Sequence, residues 1–330
     1  KIKINNSNIF FKDSLGEVIS IVKIDKTILF YDDEKLLNFL NLKGEIFNIP
    51  FIFVSENPTD LTKNKQFNLK SKLIKLNIFN ESGLEKNDSF SGENIISFLN
   101  SIIHTKYNIK EKLILFESDN SKINNSYINY GGKLSINPFN LDLNIHLDNH
   151  KISKLFNINP ILNEFIKSEL LFNDNISVNT SIIINSNLKN EIFQNAKINF
   201  HIINGKIDFD STRFVNKNIG FLELDNSNLF LKNDKLILNT DIFIDIKDSD
   251  SLFSLLDTDK QLRKKIKNIL INLDYDFLTN KIKFNNLKID NNNVTKKLLS
   301  IIEGLNDSDF NNFNKNRRLI NDFLKETYEG

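Results

Sequence analysis

The sequence predicts a mainly β protein whose strands form one long antiparallel meander. Between residues 196 and 290, apolar and polar residues alternate in short runs, as in Ile198, Phe200 and Ile202. This alternation places every second side chain on one face of a strand. Short segments such as Asn204-Gly205 separate the runs and are typical of tight hairpin turns. The sheet is therefore expected to have one continuous apolar face.

The first 150 residues are also predicted to be rich in strands. Acidic residues 32–34 precede a run at 35–40 that is interpreted as a short helix, because acidic groups favour helix starts. Apolar residues at helical spacing predict a further helix near 92–104. Gly131-Gly132 is interpreted as a hairpin turn. The strands of this part are predicted at 2–4, 9–11, 18–24, 28–31, 44–54, 67–80, 112–117, 122–130, 132–136 and 139–147.

The second part, residues 151–330, is predicted to begin with a helix over 152–171, where the apolar spacing becomes helical. Strands are expected from 176 to 290. We therefore expect two parts, 1–150 and 151–330. The other predicted elements are turns at 225–228 and 232–235, helices at 251–256 and 260–270, strands at 273–278 and 281–289, and C-terminal helices within 294–328.

Composition argues against several classes of protein and partner. The net charge is +1, from 43 basic and 42 acidic residues that are interspersed, so nucleic acid is not an expected partner. The chain has no Cys, which excludes disulfides and cysteine metal sites. It begins with Lys1 inside a strand-like pattern, so we expect a fragment of a longer protein. No apolar run reaches the ~20 residues that a membrane-spanning helix needs.

The sequence contains no recognisable catalytic constellation. Phosphate-loop, nucleophile-elbow, dinucleotide-binding and zinc-protease motifs are absent. His146 and His150 flank an alternating strand and do not share a helix face, and Asp208 and Asp210 are expected to share a solvent-facing side. We therefore predict a non-enzymatic protein with no cofactor and no metal.

Several loosely spaced segments of residues 140–330 form a recognisable pattern. The segments are 154–160 (of the Lys-Leu-Phe-x-Ile-x-Pro type), 218–229, 245–248, 262–266, 273–276, 282–284, 316–323 and 328–330. Together they resemble the C-terminal region of AsmA-like proteins of bacterial envelopes, which are relatives of TamB and of bridge-like lipid-transfer proteins.

This resemblance implies an open, curved, taco-like β groove with its apolar face turned inward and a few capping helices. Members of the family are typically anchored in the inner membrane by one N-terminal helix, span the periplasm and are associated with phospholipid transport and outer-membrane biogenesis. The resemblance therefore implies phospholipid as partner, a periplasmic location, and a membrane anchor that this fragment would lack. It implies no catalytic residues.

The alternating strands provide candidate residues for the lining of such a groove. A packed sandwich core requires the same alternation, so a structural or interaction scaffold with a closed apolar core, affecting assembly of outer-membrane proteins, is the alternative. The predicted lining residues are Ile182, Ile184, Ile198, Phe200, Ile202, Ile207, Phe209, Leu222, Leu224, Leu229, Leu231, Leu236, Leu238, Ile242, Ile244, Ile246, Leu273, Tyr275, Phe277, Ile282 and Phe284.

Overall fold

The computed structural model describes residues 1–12, 16–60, 63–84, 89–123, 126–152, 170–186, 192–233, 235–279, 281–293 and 317–323. This part of the chain consists mainly of antiparallel strands, so the predicted fold class, a mainly β protein with a long antiparallel meander, is confirmed. The chain divides into two compact units, the first containing Lys1–Asp148 and the second containing Ser181–Gly330.

The first unit is a simple up-and-down meander. Each strand from the first to the tenth pairs antiparallel with the next strand in sequence. The strands are β1 (Ile2–Lys12), β2 (Val18–Asp32), β3 (Leu37–Ile46), β4 (Ile49–Pro58), β5 (Lys65–Ser71), β6 (Leu76–Leu84), β7 (Phe90–Phe98), β8 (Ser101–Lys110), β9 (Leu113–Ile123), β10 (Ser126–Ile136) and β11 (Phe139–Asp148); β12 (Ile176–Asn185) follows.

The second unit continues the antiparallel pattern and adds a helix. Its elements are β13 (Asn195–Ile203), β14 (Lys206–Asp208), β15 (Thr212–Asn216), β16 (Gly220–Lys232), β17 (Lys235–Ile246), α1 (Ser249–Leu256), β18 (Asn268–Asp276), β19 (Lys281–Ile289) and β20 (Asn292–Asn293). β16 pairs with both β14 and β15 on one side and with β17 on the other, and β17, β18 and β19 follow in order.

The helix predicted near 92–104 is wrong, because this segment is the β7–β8 hairpin. The chain reverses at Leu99, whose φ is 52°, and Ile96 then lies opposite Ile103. Apolar residues on either side of a two-residue turn imitate helical spacing. The β-branched isoleucines of the segment favour the extended state.

The helices predicted at 35–40 and 260–270 are also wrong. The Asp32 carboxylate accepts the backbone N–H groups of Glu34 and Lys35 at 3.1 and 3.0 Å, which closes a hairpin turn before β3. Only Lys260–Leu262 forms a short 3₁₀ turn in the second segment, and β18 already begins at Asn268.

Four local features differ from the predicted turns and strands. The predicted turn at 225–228 is a β-bulge inside β16, and Gly131-Gly132 lies within β10. The predicted strands at 44–54 and 67–80 are each two strands joined by a turn. The turns at Asn204-Gly205 and between β16 and β17 are confirmed. Positive φ angles of 51° at Asn204 and 69° at Gly205 explain the preference for Asn-Gly there.

The helix predicted at 251–256 is confirmed as part of α1, and residues 317–323, within the predicted C-terminal helices, are helical. Most of the helix predicted at 152–171, and the helix predicted at 294–304, lie outside the described residues. Asp248 caps α1 by accepting the Asp250 N–H at 3.0 Å. A hydrogen bond from the Ser251 hydroxyl, 2.6 Å long, lowers the pKa of the Asp248 carboxyl.

An apolar cluster of the second unit lies beneath α1. Phe253 of this helix is 1% exposed and belongs to one apolar cluster with residues of three strands and of the C-terminal helix. The fully clustered members are Ile246, Phe253, Leu256, Ile266, Leu273, Phe284, Leu287, Ile289 and Phe323. Such a cluster supports a rigid core at this position.

Replacing Phe253 by Ala is expected to destabilise the second unit by about 3–5 kcal/mol, because it removes a buried ring and leaves a cavity. Chemical denaturation followed by circular dichroism measures the change. Leu270→Ala is the control, since Leu270 is 37% exposed, and it should cost less than about 1 kcal/mol. Equal losses for the two variants would contradict the packing described for α1.

Candidate functional site

The register of the second unit brings most of the predicted lining residues onto one face. Residues that lie opposite each other on antiparallel strands share a face. One row crosses six strands through Ile202, Ile207, Leu229, Leu238, Tyr275 and Ile282. A second row runs through Phe214, Leu222, Ile244, Ile269 and Ile289. Ile182 and Ile184 share one face of β12.

None of these predicted lining residues is exposed, and part of the face is filled by protein. Ile184 and Ile202 have no exposed area, and Ile207 and Leu236 are each 1% exposed. Leu273 and Phe284 belong to the cluster beneath α1, and Ile242, Ile244, Tyr275 and Ile282 pack against it. Burial raises the pKa of the Tyr275 hydroxyl, and the nearby Asp276 carboxylate adds to the effect. This portion of the apolar face is a packed core.

The first unit carries a second apolar face that sequence reasoning did not select. A row of eight residues, one from each strand, crosses β1–β8. Each member lies opposite the next: Ile4, Thr27, Leu42, Phe53, Leu69, Ile78, Ile96 and Ile103. We call the side of β1–β11 that carries this row the first-unit apolar face.

The first-unit apolar face is only partly covered. Among the described residues between 37 and 123, no apolar side chain is buried. Ile2 and Ile4 on this face are 57% and 48% exposed, and Leu29, which lies opposite Ile2, is 40% exposed. In a packed core these residues would be buried. The face is therefore open to solvent at β1 and β2, while its row members from Leu42 to Ile103 are half-buried.

The opposite side of the same strands carries nearly all the charged residues, together with exposed apolar residues such as Ile21 and Leu115. Lys23 and Glu45 form an ion pair at 2.9 Å, and Lys133 and Asp142 form another at 3.0 Å. The Lys133 ammonium lowers the pKa of the Asp142 carboxyl through this contact. At the paired strand positions the register places a single charged residue, Lys65, on the apolar side. The two sides of β1–β11 therefore differ strongly in charge.

A polar belt crosses the first-unit apolar face over β6–β10. We define it by Asn80, Asn94, Thr105, Ser118 and Tyr130, which lie one after another on neighbouring strands. The hydroxyl groups of Thr105 and Tyr130 are hydrogen-bonded to each other. Asn80 and Ser118 are buried. Apolar rows run on both sides of the belt, so it is a polar line within an apolar surface.

Asn80 organises one end of this belt. Its amide nitrogen lies 2.8 Å from Asn94 Oδ1, 2.6 Å from the Tyr107 hydroxyl and 3.2 Å from the Glu93 carbonyl oxygen. The contact with the backbone carbonyl identifies this atom as the donor nitrogen. Asn80 therefore holds Asn94 and Tyr107 in fixed orientations.

Two glycines on this face leave space for aromatic rings. A Cβ at Gly92 would lie 2.5 Å from the Tyr107 hydroxyl and 2.5 Å from the Glu81 carbonyl oxygen. A Cβ at Gly132 would lie 2.8 Å from the ring of Phe116. Tyr107 lies directly opposite Gly92, and Phe116 lies directly opposite Gly132. Each ring therefore packs over a strand position that has no side chain.

The described residues show other polar groups but no assembled catalytic or metal centre. His201 Nδ1 lies 2.7 Å from Asp208, and the Asp208 carboxylate also accepts the Asp210 N–H at 3.2 Å. In the described part of the chain, no three His, Asp or Glu residues are placed to hold a metal ion. No helix among those residues is long and apolar enough to cross a membrane.

The sequence did not reveal the first-unit apolar face, because its alternation is interrupted by polar and small residues. The segment from Phe90 to Phe98 alternates Phe90, Gly92, Asn94, Ile96 and Phe98 on one side, but Gly and Asn conceal the apolar period. The alternation of Leu76, Ile78 and Asn80 was the available signal.

Comparison of the chain with protein-family models, curated proteins and solved structures gives no match.

Replacing Gly92 by Ala is expected to destabilise the first unit by about 1–3 kcal/mol, because the new methyl group meets a backbone oxygen and the Tyr107 ring. Thermal denaturation measures the change. Gly131→Ala on β10 is the control, since the atom nearest to its new Cβ, the Phe116 carbonyl oxygen, would be 3.5 Å away. The control should be neutral or slightly stabilising. A harmless Gly92→Ala would show that Tyr107 does not need the space.

Proposed function

We propose that the protein is a non-enzymatic lipid-binding protein that shields acyl chains along the first-unit apolar face. The observation that carries this proposal is an apolar row across eight strands with no buried apolar residue between 37 and 123 in the described chain. A partly open apolar surface of this extent is typical of a site that binds an apolar partner.

The energetics favour an acyl chain as that partner. Exposing an acyl chain of ~16 carbons to water costs about 13 kcal/mol of free energy, at ~0.8 kcal/mol per methylene. Eleven strands with ten spacings of ~4.8 Å give a sheet about 48 Å wide. This width exceeds the ~30 Å thickness of a bilayer core, so the sheet offers room for whole acyl chains.

The proposed setting follows from the resemblance of residues 140–330 to AsmA-like proteins. In that setting the protein is a periplasmic protein, anchored in the inner membrane, that conducts phospholipid acyl chains toward the outer membrane in outer-membrane biogenesis. The partly open first-unit face supports the groove that the resemblance implies. The packed core beneath α1 supports a closed structural role for that portion of the second unit.

One observation favours the alternative of an interaction scaffold. The apolar side of the second unit is filled beneath α1, where Phe253 is 1% exposed and clusters with Leu273 and Phe284. A closed apolar core of this kind suits a structural protein. An interaction scaffold that affects assembly of outer-membrane proteins is therefore the second candidate function.

Replacing Leu69 by Asp is expected to lower lipid binding about tenfold, because the carboxylate would be desolvated beneath an acyl chain. Binding is measured with a fluorescent acyl probe and by mass spectrometry of lipid that co-purifies without detergent. Because Leu69 is only half-buried, the variant should still fold.

Asn68→Asp is the matched control, since it places the same charge on the opposite side of the same strand. It should bind lipid like the unmodified protein. If neither the unmodified protein nor its variants retain any lipid or probe, the lipid-binding proposal fails and the scaffold candidate gains.

A further inference from the structure

We infer that the polar belt binds the acyl ester carbonyl groups of a glycerophospholipid whose chains lie on the apolar rows beside it. The inference rests on the proposed function and adds to it a polar anchor and an orientation for the lipid. The belt comprises Asn80, Asn94, Thr105, Ser118 and Tyr130, and the Tyr107 hydroxyl adjoins it.

The hydrogen bonds within the belt leave donors unused. The Asn80 amide nitrogen shares its two hydrogens among three acceptors, which are Asn94 Oδ1, the Tyr107 hydroxyl oxygen and the Glu93 carbonyl oxygen. The Asn94 amide nitrogen and the Tyr107 O–H therefore remain as donors, and neither has an acceptor among the described residues. Thr105 and Tyr130 each have one hydroxyl hydrogen, and the bond between them uses only one of the two. The other hydrogen remains available to an acceptor. A group that satisfies this belt must be a hydrogen-bond acceptor.

The charge of the belt selects the kind of acceptor. All belt residues are neutral, and the charged residue of this face, Lys65, has its ammonium 5.0 Å from the centre of the Phe90 ring. A desolvated carboxylate in the belt would have no adjacent counter-charge, whereas a neutral carbonyl oxygen needs only the donors. The belt therefore suits an ester carbonyl better than a free fatty acid.

The surroundings of the belt suit the remainder of such a lipid. Ile96 lies two residues from Asn94 along β7, and Ile78 and Ile103 lie opposite it on the neighbouring strands. Two residues along a strand span about 6.6 Å, so an acyl chain that leaves the belt meets this apolar row at once. Asn94, Thr105, Tyr107 and Tyr130 are all only partly buried, so a lipid can reach them.

The test compares an ester phospholipid with its ether analogue, which has the same chains and headgroup but no carbonyl groups. Dioleoyl phosphatidylglycerol and its di-ether counterpart are titrated against the unmodified chain in a competition assay with a fluorescent acyl probe. The ester lipid should bind about 3–10 times more tightly, as one or two hydrogen bonds provide. The double variant Tyr107→Phe with Tyr130→Phe should bind both lipids within a factor of about two of each other.

Tyr127→Phe is the matched control, because Tyr127 is exposed on the opposite side of β10, and it should keep the ester preference. Asn94→Leu gives a second variant with the same expectation if the double variant does not fold. Equal binding of both lipids by the unmodified chain, or an ester preference that survives in the belt variants, overturns the inference while lipid binding stands. Absence of binding by either lipid overturns the proposed function itself.

Discussion

Side chains of a pleated strand reach only two sides, and antiparallel pairing ties the side of each residue to that of its neighbours across the sheet. The rest of this structure depends on that constraint. Once Leu42 faces one side, its partners Thr27 and Phe53 face the same side, and the assignment passes from strand to strand. Local alternation thus becomes a surface that extends over the whole first unit.

The two units begin from the same pattern and differ in what covers the apolar side. In the second unit, α1 starts three residues after β17, is capped by Asp248, and places Phe253 on the strands it has just left. In the first unit, most described connections between strands are turns of two to four residues, as at Phe47-Asn48. Such short turns provide no segment long enough to fold back over the sheet.

The sequence predicted the class of fold because alternation is a local property, visible in Ile198, Phe200 and Ile202 without any knowledge of partners. It failed where two local signals compete, as in the β7–β8 hairpin, whose isoleucines have helical spacing only because the chain reverses at Leu99. The site was harder to predict, because cover is a tertiary property. The alternation of Ile242, Ile244 and Ile246 does not reveal that α1 packs on them. The alternation around Leu69 does not reveal that its side of the sheet remains partly open.

The β-bulges of this chain have a consequence for its evolution and engineering. Leu224 and Leu229 have opposite parity in the numbering, yet both lie opposite even-numbered residues of β17, because β16 carries one extra residue between them. β2 near Asp25, β9 near Asn120 and β19 near Asn285 make the same correction. Each bulge absorbs an odd-numbered change of length, so an inserted residue there does not interchange the two sides of the strand beyond it. At these polar positions a one-residue change of length alters the bulge, whereas in an uninterrupted strand it would turn every later side chain to the other side.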